Sequence, residues 1–172
     1  MKRAWQIVAT AAWLVCAGCT SARTTVADTF PVLQAAPWQL REPVWQGDLE
    51  QAREALGEDA AALDDLAPQR VWLAVYDHPR RLGHSVTVRA CAFESVENAH
   101  TAFLVQRPIL ADALSAGDEA CWTDDGILVR WGRLLFDLFA AAPDGGSAPE
   151  RTMFIFSVIE RNMTDALASD PR

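Results

Sequence analysis

Residues 127–140 read ILVRWGRLLFDLFA, and this stretch limits the folds open to the chain more than any other. Two runs of β-forming residues flank Gly132-Arg133, a Gly-X pair suited to a two-residue type II′ turn whose first central residue takes a positive φ. A two-residue turn fixes the register of its strands: Trp131 stands opposite Leu134, Val129 opposite Phe136 and Ile127 opposite Leu138. Opposed residues of an antiparallel pair share a face, so these six form one continuous apolar surface. The other face carries Leu128, Arg130, Leu135, Asp137 and Phe139, with Arg130 and Asp137 set diagonally, where they could pair.

A second hairpin is expected from residues 71–77 (VWLAVYD) and 84–93 (HSVTVRACAF), joined by the turn-rich HPRRLG. Helices are expected around the two hairpins. Asp48 and Gln51 have the spacing of a capping box, and Leu49, Ala52, Leu56, Leu63 and Leu66 follow at near-helical spacing, with Gly57 as a kink or split and Pro68 as the stop. Ser95 is the expected N-cap of the next helix, which turns Val96, Ala99 and Phe103 inward. Pro108 interrupts it, and residues 109–114 are expected to add a short helix. Residues 119–122 read as a short extended segment. Residues 151–168 are ambiguous over MFIFSVI, but Phe156, Ile159, Met163 and Leu167 recur as in a helix. The expected class is α+β: a four-stranded, mostly antiparallel sheet of two hairpins packed against two or three helices, in a single domain over residues 38–172. Its expected core includes Val71, Leu73, Val75, Phe103, Val129, Trp131 and Phe136.

Charge narrows the function classes. The chain has 172 residues, net charge −8 and 51% apolar residues, and Lys2 is its only lysine. An acidic chain without a basic patch is a poor nucleic-acid partner, because phosphate contacts supply most of that affinity. Anionic lipid surfaces repel it too, so membrane attachment requires something besides charge.

The N-terminus offers that alternative. Met1-Lys2-Arg3 is a basic start, residues 4–15 (AWQIVATAAWLV) form a short apolar run, and Ala17-Gly18 precede Cys19. This is the pattern of a secretory signal peptide over residues 1–18. The ending Cys16-Ala17-Gly18-Cys19 resembles the lipobox of bacterial lipoproteins, with Cys16 where leucine is usual. The resemblance implies cleavage before Cys19 and lipidation of Cys19, followed by a tether over residues 19–37. Thr20 stands where aspartate marks retention at the inner membrane, which implies the periplasmic face of the outer membrane. Removal of residues 1–18 takes Lys2 and Arg3 and no acid, so net charge moves from −8 to −10. A second resemblance covers about residues 71–140. VTVRACAFESVENAHTAF, GDEACW and GILVRWGRLLFDLF look like the strand–helix and hairpin units of uncharacterised domains in bacterial envelope proteins, which implies an α+β fold and no particular activity.

Chemistry-bearing motifs are scarce. HExxH, CxxC, GxSxG and the phosphate-loop glycine pattern are all missing. Asp77, His78 and His84 flank the first hairpin loop and have zinc-compatible chemistry, although histidines at loop ends are more often plain structural residues. Glu97 and His100 share a helix face, the ordinary reading being a surface pair. Asp118, Glu119, Asp124 and Asp125 surround Trp122; paired carboxylates beside an aromatic suit glycoside hydrolysis, yet the same residues suit ordinary turns. Cys91 and Cys121 remain after processing in a disulfide-permissive compartment, and a bond between them would close a loop of about 31 residues, worth roughly 3.7 kcal/mol. If helices cover one side of the sheet only, Trp72, Tyr76, Leu128, Leu135 and Phe139 would form an exposed partner surface.

These observations favour a non-catalytic lipoprotein, held to the membrane by lipid on Cys19, that binds an envelope protein or other component and needs no cofactor. The alternatives are a small hydrolase using the acids of residues 118–125, and a purely structural lipoprotein.

Overall fold

A computed structural model of the chain describes residues 37–56, 63, 65–142 and 148–169, with backbone alone over 165–169. The signal peptide, Cys19, nearly all of the tether and most of the 143–149 loop lie outside the described residues. So do residues 57–62, where the first helix was expected to kink or continue.

The 127–140 hairpin forms as its turn dictates. Gly132 has φ +54°, while Arg133 is not among the residues with positive φ, consistent with a II′ turn. Strands β6 (Gly126–Trp131) and β7 (Leu134–Ala141) pair with Trp131 opposite Leu134, Val129 opposite Phe136 and Ile127 opposite Leu138. The second expected hairpin is β3 (Arg70–Asp77) and β4 (Ser85–Ala92). The two hairpins meet along an antiparallel seam between β4 and β7, with Cys91 opposite Leu135 and Arg89 opposite Asp137. These four strands are the centre of the sheet, and the α+β class holds.

The sheet is larger than four strands. β1 (Gln39–Leu40) and β2 (Trp45–Gly47) share the outer edge of β3, and β5 (Glu119–Trp122) adds to β6. The order is β1-β3-β4-β7-β6-β5, with β2 beside β1, and every pairing is antiparallel. The added strands run for two to four residues, too short to show alternation in sequence. Gly126 is required where β6 begins, because a Cβ there would lie 1.8 Å from the Leu138 carbonyl oxygen.

Helices cover both faces. α1 (Leu49–Leu56) opens with the expected capping box: Gln51 N–H donates to Asp48 Oδ1 at 2.9 Å and Asp48 N–H to Gln51 Oε1 at 3.0 Å. α2 (Val96–Gln106) is capped by Ser95, whose Oγ accepts from Asn98 N–H at 3.1 Å. It buries Ala99, Ala102 and Phe103, and Val96, expected inward, is exposed. Arg107 leaves the helix at ψ 126°, as a residue before proline must. The short helix expected over 109–114 does not form. A turn leads instead into a segment that runs along β5, with Leu114 N–H donating to Ala120 O and Trp122 N–H to Asp112 O. It shields an otherwise open sheet edge. α3 (Ala148–Ser169) is helical across the ambiguous MFIFSVI, and Ile155, Phe156, Ile159 and Met163 are buried. Leu167 belongs to the stretch described as backbone alone.

The core has two parts, one on each side of the sheet. Under α3 lie Trp72, Ala74, Tyr76, Val86, Val88, Ile127, Val129, Phe136 and Leu138, with Phe156 set edge-on to Phe136 at 5.7 Å. On the α1–α2 side lie Val71, Cys91, Phe93, Phe103, Cys121, Leu128 and Leu135. Of the expected core, Val71, Phe103, Val129 and Phe136 are buried, Trp131 packs partly, and Leu73 and Val75 are half-exposed. The phase of β3 is thus the reverse of that expected: its large aromatics face the closed side.

Candidate binding cleft on the half-open face

The α1–α2 face of the sheet is closed at one end only. Cross-strand register sets three rows on it. Val71, Cys91, Leu135, Arg130 and Glu119 make the first, and all but half-exposed Glu119 are buried. Leu73, Arg89, Asp137, Leu128 and Cys121 make the second. Val75, Thr87, Phe139 and Gly126 make the third. From the second row onward the β3, β4 and β7 positions, Leu73, Arg89, Asp137, Val75, Thr87 and Phe139, are half-exposed.

A cleft of about 520 Å³ opens at this boundary. Arg89, Asp137 and Leu128 line it from the sheet, Gln106 and Pro108 from the end of α2, and Thr123, Asp124 and Asp125 from the β5–β6 turn. Arg89 and Asp137 form an ion pair at 2.5 Å. Burial pushes the Asp137 carboxyl above its ordinary range, the Arg89 charge and hydrogen bond oppose this, and the charge on Asp125 adds to the rise. The site therefore presents acids around one arginine.

The cleft adjoins an apolar ridge. Leu104 and Val105, on the outer side of α2, are 53% and 65% exposed, and Ile109 and Leu110 in the following turn are 98% and 94% exposed. Four large aliphatic side chains within seven residues of chain exceed what a surface normally scatters singly.

A second polar cluster has a structural task. Arg130, buried at 9% exposure, donates Nε to Glu119 Oε2 at 2.5 Å, Nη1 to Asp118 Oδ2 at 3.1 Å and Nη1 to the Gly132 carbonyl at 3.1 Å. His100 on α2 reaches the same Glu119 oxygen at 2.7 Å, and Gly132 N–H donates to Asp118 at 2.6 Å. Burial is the largest influence on Glu119 and acts upward, but the hydrogen bonds and charges of His100 and Arg130 together carry its carboxyl below the ordinary range. The cluster ties α2, β5 and the β6–β7 turn together.

Several expected sites are corrected by this geometry. Arg130 pairs with Asp118 and Glu119, and Asp137 with Arg89, so the diagonal Arg130–Asp137 pair does not exist. The five-residue partner surface is not a surface. Trp72 and Tyr76 are buried under α3, Leu128 and Leu135 are buried on the opposite side, and of the five only Phe139 is half-exposed. Cys91 and Cys121 are both buried free thiols. They lie on β4 and β5 with β7 and β6 between, so three strand spacings separate them, roughly 14 Å and twice the reach of a disulfide. Burial pushes the Cys91 thiol up to about 12 and raises that of Cys121, which leaves both unreactive.

The carboxylates of the hydrolase alternative are divided. Asp118 and Glu119 are held by Arg130 at one end of β5, while Asp124 and Asp125 lie beyond its other end, with about 13 Å of strand between. Trp122 packs toward the α3 face. At the first hairpin loop, Asp77 accepts Arg41 Nε and Nη2 at 2.9 and 2.7 Å, and that hydrogen bonding holds it below its usual range. Among the described residues no group of three or more histidines, cysteines and carboxylates is placed to hold a metal ion. Among them, too, no helix is long and apolar enough to cross a membrane.

Sequence reasoning missed Arg89, Gln106, Pro108 and the ridge. The signal was present in AFLVQRPIL, which carries more aliphatic residues than the inward stripe of one short helix can bury. The chain matches no protein-family model, no curated protein and no solved structure at a significant level.

Proposed function

We propose that the chain is an envelope lipoprotein, lipidated at Cys19 and facing the periplasm from the outer membrane, whose domain binds another envelope protein through the cleft and its neighbouring ridge. The observation that carries the binding role is the near-complete exposure of Ile109 and Leu110 beside a polar cleft. Exposed apolar side chains next to fixed polar groups are the composition of a recognition surface. Asp124, Asp125 and Asp137 against the single Arg89 favour a partner segment that is apolar with a basic flank. The anchoring role is supported by the basic start, the apolar run and Ala17-Gly18-Cys19. Two acyl chains hold a protein stably where one is marginal.

The test is site-specific photocrosslinking from position 110 in the native envelope, with mass spectrometry of the mature N-terminus on the same sample. A discrete protein adduct that Ile109→Asp abolishes supports the binding role, and adducts with lipid alone overturn it. An unmodified Cys19, or a mature chain beginning elsewhere, overturns the anchor.

The hydrolase reading is favoured by one observation, the raised Asp137 carboxyl in a cleft that also holds Asp124 and Asp125. Turnover of a sugar polymer that Asp137→Asn abolishes would establish it in place of the binding role.

A further inference from the structure

The cleft at the other side of the sheet has the opposite character. About 210 Å³ in volume, it lies between the β3–β4 loop and the first turns of α3. Arg81, His78 and His84 line it from the loop, Arg151 from the helix, and Trp38 and Phe154 supply aromatic walls. Glu150, exposed at the mouth, is the only acid among these lining residues. In a chain of net charge −8, this is a local concentration of cationic and donor groups.

The loop is built to present them. His78 N–H donates to His84 O at 3.1 Å, Arg81 N–H to His78 O at 3.2 Å and His84 N–H to Arg81 O at 3.1 Å, so three backbone bonds fold the loop tightly and bring both imidazoles and Arg81 to one opening. His78 Nδ1 accepts Arg80 N–H at 3.2 Å, which puts the ring proton on Nε2 and leaves that nitrogen a donor. Trp38 stands edge-on to the His78 ring at 5.1 Å and fixes its plane. The facing wall is the N-terminal end of a 22-residue helix, the positive end of its dipole. Guanidinium and imidazole groups thus converge from two separate elements.

We propose that this cleft binds a phosphate group. A guanidinium fork matches phosphate oxygens, and the positive end of a helix dipole favours their charge. The volume is below the span of drug-sized pockets, which suits a single phosphate or the phosphate end of a larger molecule. Soluble phosphate monoesters and the phosphate of a lipid headgroup offer the same chemistry.

The experiment is equilibrium dialysis of radiolabelled inorganic phosphate against the full chain in phosphatidylcholine nanodiscs, with ionic strength held constant by chloride. Saturable binding is expected, weakened about tenfold or more by Arg81→Glu, since one charge-assisted contact is lost and a like charge takes its place. Arg81 is exposed and its loop bonds are backbone bonds, so the variant keeps the fold. Arg80→Glu, one residue away and outside the lining, is expected to leave binding unchanged. Displacement of the label by nanodiscs containing phosphatidic acid assigns a headgroup, and displacement by glycerol phosphate alone assigns a soluble ester; either supports the site. No saturable binding, displacement by chloride, or equal loss in Arg80→Glu and Arg81→Glu would overturn it.

Discussion

The two faces of the sheet are built from the same strands and behave as different materials. The α3 face is apolar and closed, with aromatic side chains from β3, β7 and α3 interlocked. The α1–α2 face is closed along its first row and over Leu128 and Cys121 in its second, and carries the ion pairs Arg89–Asp137 and Arg130–Glu119 and the cleft. Both faces hold core, but the α3 face is apolar throughout, while the other holds charges at intermediate burial where its helical cover ends.

Substitutions should separate the two. The largest effect is expected on the closed face: Phe136→Ala should destabilise the domain by about 3–5 kcal/mol, read from the urea midpoint, because a fully buried ring is replaced by a cavity beside Phe156. A loss below about 1 kcal/mol would show that the aromatic packing of this face does little to hold the fold.

Arg130→Met acts on the other face and should cost about 1–2 kcal/mol at neutral pH, less than a fully buried pair, because Asp118 and Glu119 are partly exposed and rehydrate. The folded-state pKa of Glu119 lies below its unfolded value. Its contribution is therefore present above the ordinary glutamate range and lost as pH falls through the depressed value. The difference between wild type and Arg130→Met should shrink on acidification, and a difference that grows would contradict the assigned network.

Asp137 has the opposite sign. Its folded pKa is raised, so stability is full below the unfolded value, about 3.9, and is lost as pH rises toward the folded value. Asp137→Asn should flatten stability against pH in that window and cost about 1–2 kcal/mol at neutral pH, since it takes the carboxylate from an Arg89 side chain that is only 16% exposed. Urea midpoints measured from pH 3 to 7 check this. The smallest effect on folding is expected at the ridge: Ile109→Asp should shift stability by no more than about 0.5 kcal/mol, since its side chain touches little, while abolishing the crosslinked adduct. A variant that unfolds would mean that the ridge is structural.

How much of this the residues reveal follows from how local each determinant is. The register of β6 with β7 was legible because Gly132-Arg133 sets it within two residues. Both N-caps were legible for the same reason. The phase of one hairpin against the other was not. It depends on the β4–β7 seam, where Arg89 meets Asp137 across 48 residues of chain. Without that seam nothing says that Leu128 shares a face with Leu73 rather than with Trp72, and the expected aromatic patch fails on that point alone. The cysteine distance fails for the same cause, since two intervening strands become visible only once the sheet is ordered. The cleft joins residues from the seam, the end of α2 and a turn, so the sequence shows its lining only piecemeal: Asp124 and Asp125 as hydrolase acids, Asp137 as a partner for Arg130, and Leu128 within a different surface.

The seam also orders events in time. Each hairpin closes over a few residues, on a scale of about 1–10 μs, and neither alone buries enough to persist. Joining β4 to β7 closes a long stretch of chain before its contacts can form, the kind of step that slows folding. Until it closes, both hairpins expose the flanks of β4 and β7, with Val86, Val88, Phe136 and Leu138 uncovered. The interval before docking is therefore when a nascent chain is most open to pairing with a neighbouring copy.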